Sequence, residues 1–121
     1  MDNNNFKDIV EGIEFHDQPL NSIEFDFLNQ KICYGIDIYN EDIEDYDSIE
    51  LSFEGVKEIK VDEFSIIEVR DLTIASIKIE KNKEGNICRS IFLDDVEGGI
   101  IKVEFTFMNL QKKDVQSTQI L

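Results

Sequence analysis

Apolar residues in this chain recur at every second position in short blocks, and this habit limits the possible folds more than any other feature. Ile23, Phe25 and Phe27 alternate with Glu24 and Asp26; Asn29-Gln30 supplies a turn; Ile32, Tyr34, Ile36 and Ile38 then resume the alternation. Ile49, Leu51 and Phe53 repeat it, as do Ile101, Val103, Phe105 and Phe107 near the end of the chain. A period of two puts one set of side chains on each face of an extended strand, so each block reads as a strand with one apolar and one polar face. Antiparallel sheets with one face on a core and one in water produce this pattern. No long amphipathic helix separates the blocks, which argues against a parallel α/β architecture.

The remaining segments fit between these blocks. Phe6, Ile9, Val10 and Ile13 have the spacing of one face of a short helix, with Asn5 as a candidate cap and Gly12 as a candidate end. Ile13 and Phe15 also alternate, so a strand competes for 12–16. Pro19 is the only proline and holds Gln18 extended. Gly55 follows the third block and is expected to mark a bend or bulge, with Val56, Ile59 and Val61 continuing beyond it. Asp62-Glu63 reads as a turn, and 66–69 fits either a strand or a helical turn. Leu72 and Ile74 share a phase that Ile77 and Ile79 oppose; a bulge at Ala75-Ser76 would bring all four to one face. Polar turns are expected at 81–86 and 94–99. The expected fold is therefore all-β: a single domain over 1–121, an antiparallel sandwich or curled half-barrel of about seven or eight strands with at most one short N-terminal helix. Residues 1–5 and 111–121 read as frayed polar ends.

Charge is the strongest compositional signal. There are 27 acidic and 12 basic residues, a formal net charge of −15. The first 60 residues hold 16 acids and 4 bases, so the imbalance is concentrated there. A field of this sign repels nucleic acid and anionic membranes and steers basic partners inward, although acidic surfaces also serve solubility alone. No apolar run approaches the ~18 residues of a membrane span, and no secretory signal is recognisable, so a cytoplasmic protein is expected. Cys33 and Cys88 lie far apart in separate strands, outside any metal-binding spacing, and read as reduced thiols.

Catalytic signatures are sparse. There is no phosphate-binding glycine loop and no nucleophile elbow. His16 is the only histidine, so a metal-dependent phosphohydrolase lacks its ligand set and a serine triad requires His16 itself as base. The bland reading of His16 is a hydrogen bond to a neighbouring strand that orders the turn at Asp17. No enzyme activity and no cofactor are expected. The stretch 40–47 carries five carboxylates in eight residues. Calcium is one reading, but the EF-hand ligand spacing is absent; a solvated loop is another. The third is a docking edge for a basic protein made by Asp37, Tyr39, Glu41, Asp42, Glu44, Asp45, Tyr46 and Asp47, in which tyrosine rings supply contact area and carboxylates supply steering.

Phe15-His16-Asp17, Ser22-Ile23-Glu24-Phe25, Ile49-Glu50-Leu51-Ser52-Phe53-Glu54-Gly55-Val56 and Gly99-Ile100-Ile101-Lys102-Val103-Glu104-Phe105 together resemble small all-β immunity proteins of bacterial polymorphic toxin systems, of the immunity protein 50 type, and related uncharacterised bacterial families. The resemblance spans most of 13–108. It implies a non-catalytic inhibitor that binds a cognate toxin in the cytoplasm of the producing cell; the acidic field suits a basic one, such as a nuclease, and a monomer or homodimer is expected. It transfers no catalytic residue. A β-module with a scaffolding, regulatory or oligomer-forming role is the alternative.

Overall fold

The computed structural model describes residues 6–62, 72–83, 85–94 and 98–115. The short helix α1 (Phe6–Glu11) precedes eight strands within those residues: β1 (Leu20–Asp26), β2 (Lys31–Asn40), β3 (Asp45–Glu54), β4 (Lys57–Asp62), β5 (Leu72–Asn82), β6 (Gly85–Asp94), β7 (Ile100–Phe107) and β8 (Asn109–Val115). They form two four-stranded antiparallel sheets, ordered β1-β2-β3-β8 and β4-β7-β6-β5. The fold is an all-β sandwich.

The alternation in the sequence fixes which face of each strand is buried. In the β2–β3 pair, Ile32 lies opposite Phe53, Tyr34 opposite Leu51 and Ile36 opposite Ile49, and all six side chains are buried. On β6 and β7 the inward set is Cys88, Ser90 and Phe92 beside Ile101, Val103, Phe105 and Phe107. Aromatic rings join the sheets. Tyr34 of β2 meets Phe92 of β6 edge-on at 5.3 Å, and Phe53 of β3 meets Phe105 and Phe107 of β7 at 4.9 and 5.1 Å. Edge-to-face contacts of this kind add to the area that the rings bury. Phe6 of α1 reaches Phe107 at 5.7 Å, so the helix closes on the same cluster while packing against β5 and β8.

The bulge expected from the phase reversal in β5 is present: the β5–β6 register shifts between Ile74 and Ser76, and Leu72, Ile74, Ile77 and Ile79 are all buried. Gly55 lies between β3 of the first sheet and β4 of the second, and Met108 lies between β7 and β8, which cross in the opposite direction. The two crossings touch, with Met108 N donating to Glu54 O at 2.8 Å. Gly55 has φ +67°, and a Cβ there would stand 2.8 Å from Met108 Cγ. Gly55→Ala is therefore expected to cost about 1–3 kcal/mol, read as a lower urea midpoint. Adding Met108→Ala should restore only a small part of the loss, since the Met108 Cβ would remain 2.9 Å from the new methyl group.

Three expectations are corrected. Residues 111–115 are not part of a frayed tail; they pair with β3, Ser48 opposite Val115 through Ser52 opposite Gln111. The polar sequence of β8 fits an edge strand that buries only Leu110. Phe25 and Phe27 do not enter the core. β1 is an edge strand, Phe27 lies beyond its end, and the two residues are 38% and 75% exposed, because Ile32 and Tyr34 of the adjacent β2 already fill the interior. The turn is also longer than Asn29-Gln30: β1 ends at Asp26 and β2 begins at Lys31. Asn29 donates through Nδ2 and its backbone N–H to the Asp26 carboxylate, which holds that carboxyl below its usual range. The alternatives left open for 66–69 lie outside the described residues.

One polar group crosses the core. The Tyr34 hydroxyl and Ser90 Oγ are 2.9 Å apart, and Cys88 Sγ lies 3.5 Å from the same Ser90 oxygen. Burial pushes the Cys88 thiol up to about 12 and the Tyr34 phenol well above its ordinary value. Folding holds protons on both groups that the unfolded chain releases in alkali. Their stabilising contribution is complete below about pH 8.5 and declines as pH rises towards 12, by up to about 1.4 kcal/mol per pH unit for each group. Urea midpoints between pH 8 and 11 should show this decline, and Cys88→Ala should delay its onset to near pH 10.

Candidate partner-binding surface

The β2–β3 hairpin projects the acidic stretch from one end of the first sheet. Its strands extend further than the sequence suggests: Tyr39 pairs with Tyr46 and Asn40 with Asp45, leaving a four-residue turn, Glu41–Glu44. Asn40 organises this turn. Its Oδ1 accepts from Asp42 N at 2.9 Å, while its Nδ2 donates to Asp47 Oδ2 at 2.9 Å. Glu44 takes a positive φ of 55° to close the loop. Residues 41–47 are all exposed.

The expected site residues fall into three groups. Tyr39 and Tyr46 share the outer face of the sheet, with ring centroids 5.3 Å apart and planes at 72°, so two residues separated by the acidic run form a single exposed aromatic pair. Glu41, Asp42 and Glu44 belong to the turn. Asp45 and Asp47 lie in the opposite phase to Tyr46, with Ile49, and Asp47 lines an open groove of about 660 Å³ together with Ile13, Ile38 and Lys112. Asp37 differs from the others. Its Oδ1 accepts from Asn21 Nδ2 at 2.7 Å and Ser48 Oγ at 2.8 Å, tying β1, β2 and β3 together, and it is half-buried. Its role in this geometry is to brace the base of the hairpin.

Ile43 was not anticipated. It stands 57% exposed among the carboxylates, an apolar side chain at the apex of the turn. Its signal in the sequence was an aliphatic residue isolated in an acidic run, which reads equally well as a buried anchor. The electrostatics of the tip are one-sided: among the described residues, none of the carboxylates of 41–47 forms an ion pair. By contrast, Arg89 on the outer face of the second sheet reaches Glu80 at 2.6 Å and Glu104 at 3.3 Å, and these contacts raise its pKa further.

Other reactive groups lie away from this tip. His16 Nδ1 lies 3.2 Å from the carbonyl of Ala75 in the β5 bulge, and its Nε2 lies 3.5 Å from Asp17. Asp17, at φ 68°, donates its N–H to Ile74 O. The imidazole thus lies against the β5 bulge beside the backbone hydrogen bonds that hold the 15–19 crossing there. Cys33 is half-exposed on the outer face of the first sheet and Cys88 is buried between the sheets; both are free thiols. Among the described residues no cluster of three or more histidine, cysteine or acidic side chains is arranged to hold a metal ion, and no helix is long and apolar enough to cross a membrane.

No model of a known protein family matches the chain, and no curated protein matches it. The short motifs quoted from the sequence fall on framework elements. Phe15-His16-Asp17 forms the crossing onto β5, Ile49–Val56 covers the later part of β3 and the sheet-switching corner, and Gly99–Phe105 leads into and through most of β7.

Proposed function

We propose that this protein is a non-catalytic binding protein that takes a basic protein partner on the tip of its β2–β3 hairpin, and that it acts as an immunity protein, neutralising a cognate toxin by covering a functional surface. The observation that carries this reading is the exposed Tyr39–Tyr46 pair, set among carboxylates that have no cationic partner among the described residues. Rigid tyrosine rings supply contact area at low entropic cost, while unpaired carboxylates raise the encounter rate with a basic surface. Ile43 adds an apolar contact at the apex. The strand pairing that continues to Asn40 and Asp45 holds this surface in shape before any partner arrives.

Co-expression with a toxin encoded by the neighbouring gene tests the reading. Growth should be rescued, and the purified proteins should bind with an association rate that falls as salt rises. Absence of binding at low salt would overturn it.

A further inference from the structure

The sandwich has four sheet edges, and three of them carry features that discourage the addition of another strand. β4 is interrupted by a register shift between Lys57 and Lys60, with Glu58 at φ 55°. β5 has its bulge, and its first half is already occupied: Ile74 N donates to Gln18 O at 3.0 Å, Asp17 N donates to Ile74 O at 2.8 Å, and Pro19 bridges Thr73. β8 turns Lys112 and Asp114 to the same face as the buried Leu110, placing charge where an added strand would need apolar contact. Bulges, coverage and inward-pointing charges are the devices by which proteins protect exposed edges.

The fourth edge, β1, has none of these between Ser22 and Asp26. That stretch pairs regularly with β2, Ser22 opposite Gly35 through Asp26 opposite Lys31. Its inward set ends in Ile23, half-buried, and Phe25, 38% exposed, with Phe27 stacked on Phe25 at 6.1 Å. Its outward set is Ser22, Glu24 and Asp26. Among the described residues, no backbone group outside β2 bonds to the backbone of this stretch.

We infer that β1 is a second docking element, which accepts an extended segment of a partner protein as an added antiparallel strand with apolar residues on its inner face and basic residues on its outer face. Ile23 and Phe25 would pack beside the apolar set, while Glu24 and Asp26 face the basic set. A second copy of this chain fits poorly. Antiparallel pairing of β1 with itself about Glu24 places Glu24 against Glu24 in chains that each carry −15. The edge and the acidic tip belong to one sheet, and the Asn21–Asp37 hydrogen bond ties the start of β1 to the base of the hairpin, so a single partner can use both. The choice of a basic partner rests on the proposed function; the geometry of the edge does not.

The test uses the full chain, isotopically labelled, and a peptide of about ten residues alternating lysine and valine, compared with an isomer of the same composition in two blocks. The alternating peptide should shift the amides of Ser22–Phe27 and slow their exchange, and bind at least about tenfold more tightly than the block isomer. Phe25→Lys, at a partly exposed position, should abolish the response while leaving the β6–β7 amides unchanged, and Glu24→Lys should weaken it. Equal binding of the two peptides, no response at Ser22–Phe27, or dimerisation through β1 would overturn the inference. Shifts confined to Tyr39–Asp47 would remove the edge while supporting the acidic tip. Shifts at β1 without any at the tip would support the edge independently of the tip.

Discussion

Phe53→Ala is expected to destabilise the protein by about 3–5 kcal/mol, the largest single effect in the described core. The Phe53 ring meets Tyr34 of its own sheet and Phe105 and Phe107 of the other, all edge-on, and is fully buried. Removing it therefore loses apolar area and opens a cavity where the two sheets meet, with rigid aromatic walls that collapse poorly. Against a typical domain stability of about 5–15 kcal/mol, the variant would keep a small margin or none. With a urea slope near 2 kcal/mol/M, the midpoint should fall by roughly 2 M. Phe25→Ala is the control. The same change at a partly exposed ring on an edge strand should cost less than about 1.5 kcal/mol. Similar losses for the two variants would mean that the aromatic cluster is not the centre of the fold.

The second large effect concerns binding. Tyr39→Ala combined with Tyr46→Ala should weaken partner binding by more than about thirtyfold, a loss of at least 2 kcal/mol typical of clustered tyrosine anchors. Stability should change little, because both rings are substantially exposed. The change should lie mostly in the dissociation rate. Exchanging Glu41, Asp42 and Glu44 for lysine should act mostly on the association rate and flatten its salt dependence. Calorimetry for affinity and stopped-flow mixing for rates separate the two contributions. An unchanged dissociation rate in the double tyrosine variant would remove the anchors from the interface.

Much of this architecture was legible in the sequence because strand alternation and burial report the same physical fact. The blocks Ile32–Ile38, Ile49–Phe53 and Ile101–Phe107 became β2, β3 and β7, and the phase reversal at Ala75-Ser76 became a bulge. Edge strands were harder to read. β1 shows alternation but sits where the opposite sheet gives it little cover, so Phe25 remains partly exposed. β8 carries almost no apolar signal, since its partner is the backbone of β3 and only Leu110 reaches the core. Backbone pairing is blind to side-chain type, so composition alone left that strand as a tail. The tyrosines at the edges of the acidic run were visible as residues, but their contact was not. It depends on the β2–β3 register, which the inward residues Ile32, Tyr34 and Ile36 set deeper in the hairpin. The role of Asp37 as a brace was hidden for a similar reason: its partners Asn21 and Ser48 lie on two other strands.

The most direct test of the central claim is to follow the backbone amides of the labelled protein while a basic protein that binds it, such as a toxin encoded by a neighbouring gene, is added to saturation at moderate salt. If the hairpin tip is the docking surface, the amides of Tyr39 to Asp47 should show the largest shifts and gain protection from exchange, while those of the Arg89–Glu104 face of the second sheet stay in place. Saturation with no change at Tyr39 to Asp47 would contradict the account.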